Sequence, residues 1–224
     1  MTITDTTRVA TRILRFDRVQ RAAHWANAAL FGVLMFTAIP LYFGSLFGVV
    51  LARHVVEMIH LWSGLALPLP IIVSLLGPWG RQMRRDVRRI NYWTRYEIHW
   101  LRTLGKSRLE ADKFNPGQKL NAIFIGAAII VMLATGAMLQ WFRFFPVPWR
   151  QGATFVHDTF SYVIFAVVIG HVFMALTHPG SLRSMFTGWV SEKWAATQAA
   201  GWLKEKRLAE DSPDVRCTPR GDRR

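Results

Sequence analysis

Four apolar runs of about 20 residues, each long enough to cross hydrocarbon, limit what this chain of 224 residues can fold into. They cover roughly residues 23–43, 57–77, 120–141 and 153–177. The apolar residues are gathered into these runs rather than spread as a soluble core would spread them. The fold class expected is therefore all-α, an integral membrane bundle of four transmembrane helices. Lys and Arg give the bundle its direction. Of 28 such residues, five lie before the first run, eleven between the second and third, and nine after the fourth. Only Arg53, Arg143 and Arg150 fall in the other two connections. By the positive-inside bias, both termini and the middle connection belong on the cytoplasmic side. The formal charge of +14 thus reflects topology and attraction to anionic lipid headgroups, and argues against nucleic acid as a partner.

The division expected is a cytoplasmic N-terminal tail over 1–22, a membrane domain over 23–180, a cytoplasmic amphipathic segment over 181–210 and a disordered tail over 211–224. Residues 1–22 contain no apolar core, so the first span is expected to act as its own insertion signal, without a cleavable leader. The single cysteine, Cys217, excludes an internal disulfide, a Cys-ligated iron–sulfur cluster and a CxxCH haem attachment. Between the second and third spans, apolar residues from Met83 to Leu104 recur mostly at helical intervals with arginines opposite. That pattern predicts a helix on the membrane surface or a solvated basic helix.

The fourth run carries two histidines, His157 and His171. Their separation of fourteen residues is roughly 21 Å along a helix and about 40° short of four turns, so both imidazoles share one face at opposite membrane levels. Ionisable side chains inside spans are rare and usually functional. The direction of each span supplies the partners. His24 enters with span one at the inner level, beside His171; His60 begins span two at the outer level, beside His157. Two imidazoles at one depth on different helices can hold a haem iron from both faces, leaving no open position and so favouring electron transfer over oxygen chemistry. Zinc fits poorly, because the four histidines divide between two depths. Gly32, Gly64 and Gly170 offer room for flat porphyrins, and Gly126 and Gly136 for close approach of a neighbouring helix. His54, His99 and His178 read as surface residues.

Before span three, Asn115-Pro116-Gly117-Gln118 has the form of a helix start, with Asn as N-cap, Pro at the first helical position and Gln at the third. Pro68 and Pro70 are expected to bend span two.

The segments RAAHW, IHLWSG, KFNPGQK, the H-x13-H spacing of span four and GSLRSMFTGWVSEKWA together resemble the cytochrome b subunit of formate dehydrogenases, over roughly residues 12–195. The wider family includes the cytochrome b subunits of thiosulfate reductases and nickel–iron hydrogenases. The resemblance implies two haem b groups, the pairs being His60 with His157 and His24 with His171. It also implies a quinone site, for menaquinone or ubiquinone, lined by Asn115, Gly117, Gln118 and His171. The implied partners are an iron–sulfur subunit and a molybdenum- or tungsten-containing catalytic subunit, with the chain in the bacterial inner membrane. It would then be the electron-transfer subunit of an oxidoreductase complex, without catalysis of the primary substrate by itself. The outer connections depart from the family pattern, which leaves the partner open. A hydrogenase or thiosulfate reductase subunit, a stand-alone cytochrome b561 and a haem-free membrane anchor are the alternatives.

Overall fold

A computed structural model describes residues 12–44, 53–103, 105 and 111–211. Four helical stretches in it are long and apolar enough to cross a membrane, as expected. Helix α1 (Arg18–Tyr42) starts well before the apolar run. Asp17 caps it through a reciprocal box, its carboxylate accepting from Gln20 N at 2.8 Å while Asp17 N donates to Gln20 Oε1 at 3.0 Å. The second span is broken in two, α2 (Arg53–Ala66) and α3 (Leu69–Leu75). Pro68 and Pro70 cannot donate to the helical ladder, and Asn27 Nδ2 of α1 meets the Leu67 carbonyl at the break, 3.0 Å away. At the far end of α3, Gly77 turns with φ of 64°, and Arg84 Nη1 reaches back to the carbonyls of Leu75 and Gly77 at 2.6 and 2.9 Å. Helix α6 (Pro116–Gln140) and helix α7 (Val147–Thr177) form the second hairpin. The fourth span is longer than expected, because Val147–Gly152 continue the same helix.

The middle connection is not one surface helix. It forms α4 (Arg81–Asn91) and α5 (Arg95–Arg102), separated where Thr94 caps α5. The expected N-terminal tail is structured from Arg12 onward, and residues 1–11 lie outside the described part. Strand β1 (Arg12–Leu14) pairs antiparallel with β2 (Trp189–Ser191), Ile13 opposite Val190. This small sheet was not foreseen. The expected single amphipathic segment after span four is α8 (Pro179–Thr187), β2, α9 (Glu192–Gln198) and α10 (Ala200–Asp211). Of the expected tail only Asp211 is described. Gly188 ends α8 with φ of 87°, and a Cβ there would stand 2.6 Å from the Phe16 carbonyl oxygen. Val190, Ala195, Ala199, Trp202 and Leu203 make a small soluble-type core with Ile13 and Trp194. Both described chain ends therefore meet at one end of the bundle, called the termini end below.

Two ion pairs are buried at that end. Lys119 Nζ donates to Glu97 Oε1 at 2.6 Å and to the Tyr92 carbonyl at 2.9 Å, while Thr94 N and Oγ1 serve Glu97 Oε2. Burial alone would raise the Glu97 carboxyl, but the hydrogen bonds from Lys119 and Thr94 outweigh it and hold it below the ordinary range. The sign follows. The stability Glu97 contributes is complete above the ordinary carboxylate value of about 4.3 and is lost as pH falls through the depressed one. Glu97→Gln, which strands the Lys119 ammonium, should cost about 3 kcal/mol and flatten the acid limb of stability, read by thermal unfolding in detergent at several pH values.

Candidate haem sites

Spans α1 and α7 present His24 and His171 to each other at the termini end, with ring centroids 6.3 Å apart and planes inclined at 56°. A metal bonded at about 2 Å by one nitrogen of each ring would leave centroids on the order of 6 Å apart. The observed spacing fits that length without movement of either helix. His24 also takes the indole of Trp25 edge-on at 5.3 Å. Trp25 Nε1 donates to the Met185 carbonyl at 3.1 Å, which ties this end of α1 to α8.

Toward the other end, His60 on α2 and His157 on α7 are near enough to interact electrostatically. Each ring is held by a threonine from an adjacent span. Thr37 Oγ1 donates to the Val33 carbonyl at 2.7 Å and lies 2.8 Å from His60 Nδ1. Thr135 Oγ1 donates to the Val131 carbonyl at 2.8 Å and lies 2.9 Å from His157 Nδ1. A hydroxyl that gives its hydrogen to a carbonyl can only accept, and in that arrangement each Nδ1–H would donate to its threonine. The proton would then sit on Nδ1, with the lone pair left on Nε2. This is the tautomer a metal ligand needs, with the second nitrogen held as such ligands hold it. Gly136 brings α6 close enough that a Cβ there would meet His157 Cε1 at 3.4 Å. The neighbour for which that glycine makes room is the imidazole.

Gly32 and Gly170 face open space, with no heavy atom within 4 Å of where a Cβ would stand, whereas Gly64 packs on Leu34 Cδ2 at 3.8 Å. Two pairs of nitrogen donors, each spanning two helices, with open glycine faces beside them, fit a flat metallocycle held from both sides. Among the described residues no group of three or more His, Cys, Asp or Glu could hold a metal ion. His54 is exposed on the first turn of α2, and His99 and His178 are also exposed.

The Asn115–Gln118 turn adopts the capping form. Asn115 Oδ1 accepts from Gln118 N at 2.9 Å, and Asn115 N donates to Gln118 Oε1 at 3.1 Å. Gly117 packs near Trp100, 3.7 Å from a notional Cβ. No hydrogen bond joins this turn to His171 among the described residues. The structure therefore brings the four histidines together in pairs and leaves the turn as a separate feature of the termini end.

Residues 15–188 match the family model described as prokaryotic cytochrome b561. The chain belongs to that family. Membership implies haem b and makes the chain a multi-pass bacterial membrane protein. Among curated proteins, the chain is similar to the formate dehydrogenase cytochrome b556 subunit of Haemophilus influenzae, 26% identical over 92% of this chain and 88% of the relative. It is similar also to two Escherichia coli K12 proteins. One is the nitrate-inducible formate dehydrogenase cytochrome b556(Fdn) subunit, 25% identical over 88% of this chain and 93% of the relative. The other is the cytochrome b556(fdo) subunit, 23% identical over 87% of this chain and 93% of the relative.

Thr37 and Thr135 were absent from the reading of the sequence. The available signal is a hydroxyl residue in an apolar span at the depth of a histidine on another span, which becomes visible only after the helices are paired. Asp158, charged and adjacent to His157 within the fourth apolar run, was also passed over. Asn115→Ala should remove the N-cap of α6 and cost about 1 kcal/mol, measured as a lowered unfolding temperature of the detergent-solubilised protein.

Proposed function

We propose that this chain is the dihaem membrane subunit of a formate dehydrogenase-like respiratory complex, carrying electrons from an iron–sulfur partner to membrane quinone. The observation that carries the reading is the pairing itself. His24 and His171 stand at metal-bridging distance, and each of the other two histidines has a threonine hydroxyl at its Nδ1, an arrangement that supports the tautomer a metal ligand needs. The printed names of the relatives support the choice of formate dehydrogenase among complexes of this family. The asymmetry of Lys and Arg supports a cytoplasmic termini end.

His60 and His157 would hold one haem, and His24 and His171 the other. Haem in such sites supplies reversible one-electron chemistry. Because both faces of each iron would be taken by imidazole, the chain offers no position for oxygen to bind. Thr37 and Thr135 keep the outer rings oriented and more basic by accepting their Nδ1 protons. At the termini end, the amide nitrogens of Asn115 and Gln118 have no protein acceptor among the described residues and remain able to donate to quinone oxygens at the same end of the bundle as His171. Their oxygens are committed to the cap. The partner subunits expected are an iron–sulfur protein at the opposite face and, beyond it, a molybdenum- or tungsten-containing catalytic subunit.

Purified protein should show a reducible b-type spectrum, and a chain without one would end the proposal. His60→Ala and His157→Ala should lose the same spectral component, and His24→Ala and His171→Ala the other. Common loss in His60→Ala and His171→Ala would break the pairing. Thr135→Val should weaken haem retention at the outer pair by about 10-fold, measured by the haem-to-protein ratio through dialysis. Gln118→Ala should slow quinone reduction with both haem spectra intact.

A further inference from the structure

The second buried ion pair at the termini end is built differently from Glu97–Lys119. Asp86 on α4 and Lys113 before α6 are 2% and 1% exposed, and Arg15 beside them is 3% exposed. Asp86 Oδ2 accepts from both Lys113 Nζ and Gln20 Nε2, while Oδ1 is buried without a hydrogen-bond partner. Arg15 Nη2 donates to the Lys113 carbonyl at 3.0 Å and Nη1 to Ser184 Oγ at 3.3 Å, and its Nε is buried and unpartnered. Two buried cations thus share one carboxylate. The balancing charge lies outside the cluster. Arg89 binds Asp112 Oδ1 at 2.7 Å and Glu205 Oε2 at 2.7 Å, and the Glu205 side chain is 58% exposed.

An uncompensated charge away from water is expensive, and the least costly relief is the loss of a proton. Arg15 does not supply it. Burial lowers its pKa to about 10 against the pull of Asp86, which leaves it charged at neutral pH. Lys113 is the group that can. Burial lowers its pKa, the cations of Arg15 and Arg89 lower it further, and Asp86 opposes them. Burial also raises Asp86, against Lys113, Gln20 and Arg89. By contrast Glu97 has both oxygens partnered and one lysine to one carboxylate, as a purely structural pair requires.

The position of the cluster matters as much as its charge. Gln20, bonded to Asp86, lies four residues before His24 on α1, about 6 Å along the axis. Lys113 stands two residues before Asn115, and Lys113 N donates to Asp112 Oδ1 at 2.7 Å. The cluster therefore lies close in the chain to His24 and to the Asn115–Gln118 turn, and beside Asp112, which Arg89 bridges to the exposed Glu205.

We propose that Asp86 and Lys113 form a proton relay that serves quinone reduction at the termini end. This rests on the quinone-reducing reading given above. Reduction of one quinone to quinol consumes two electrons, supplied by the iron–sulfur partner, and two protons, which bond to the two quinone oxygens. For each proton, the Lys113 ammonium passes it to the Asp86 carboxylate along their contact, and the resulting carboxylic acid releases it toward the quinone through water. The Lys113 amine is then recharged by a proton relayed inward through water from the side of Asp112 and Glu205. Both residues act through water on the quinone and are relay groups rather than catalytic residues.

The test uses the assembled complex in membrane vesicles, with a reduced viologen dye as electron donor and short-chain benzoquinone and naphthoquinone as acceptors. In Asp86→Asn, both haems should be present and reduced by the dye as in the parent, while quinol formation slows by about 100-fold, the lower end of what a positioned proton donor supplies. The parent rate should fall as pH rises through the titration of the cluster, and that dependence should vanish in Asp86→Asn and Lys113→Met. Asp86→Glu should restore both rate and profile. Glu97→Gln should lose stability yet keep its turnover per haem. Parent turnover per haem with an unchanged pH profile in Asp86→Asn or Lys113→Met overturns the relay. So does failure of all three cluster variants, Asp86→Glu included, to yield haem-loaded protein, since the cluster would then be structural. If the parent complex takes dye electrons onto haem but reduces neither quinone, the proposed function itself fails, and the relay with it.

Discussion

An imidazole placed in hydrocarbon must be given a partner at each nitrogen, and that requirement governs the arrangement of the spans. Water is absent there, so an unmet ring nitrogen is costly. At the level of His60 and His157 the protein meets half of the demand with threonine hydroxyls that are themselves spent on backbone carbonyls. In the proposed reading the other half, the Nε2 lone pairs, would go to haem iron between the helices. At the level of His24 and His171 the two rings face each other at a distance that suits a shared metal. Under the proposed function, nitrogen donors at two depths would set the helices in register. Outside these points the spans touch little protein. Large apolar side chains such as Phe36, Ile130 and Phe155 are 70% or more exposed, as lipid-facing residues are.

The termini end obeys different rules. There the chain builds a miniature soluble layer, with capped helices, a two-stranded sheet, a core around Trp202 and two buried ion pairs. Arg15 belongs to this layer rather than to a solvated tail. Its guanidinium lies over the rings of Phe16 and Trp194 at 4.8 and 4.5 Å. Basic residues that set topology by their number are in part individually employed. Arg84 caps the end of α3, Arg89 bridges two carboxylates, and Lys119 and Lys113 each neutralise a buried acid.

What could be read from the sequence follows from what has a one-dimensional signature. Apolar length marked the spans, and the paired prolines marked the break at Leu67. The fourteen-residue spacing in α7, with the alternating direction of the spans, sorted the histidines by level, and the structure places His24 beside His171 and His60 near His157. The Asn115–Gln118 box was legible because capping is local. The threonine partners were not, because Thr37 serves a histidine 23 residues away and Thr135 one 22 residues away on a different helix. The β1–β2 pairing and the Asp86 cluster were hidden for the same reason. A three-residue strand carries no periodicity, and a charge run looks alike whether its members are solvated or buried.

That sheet has a consequence for biosynthesis. Leu14 pairs with Trp189, and Arg15 reaches Ser184, which is 169 residues later in the chain. Neither contact can exist until the fourth span has been threaded and its trailing segment has emerged on the same side as the start. During synthesis the ribosome thus delivers the N-terminal strand first and its mate near the end, with all four spans between them. The pairing closes last, and its closure removes Arg15 from water. The clasp works as a late seal, a local structure that forms only once the start of the chain and the segment after the fourth span lie on the same side.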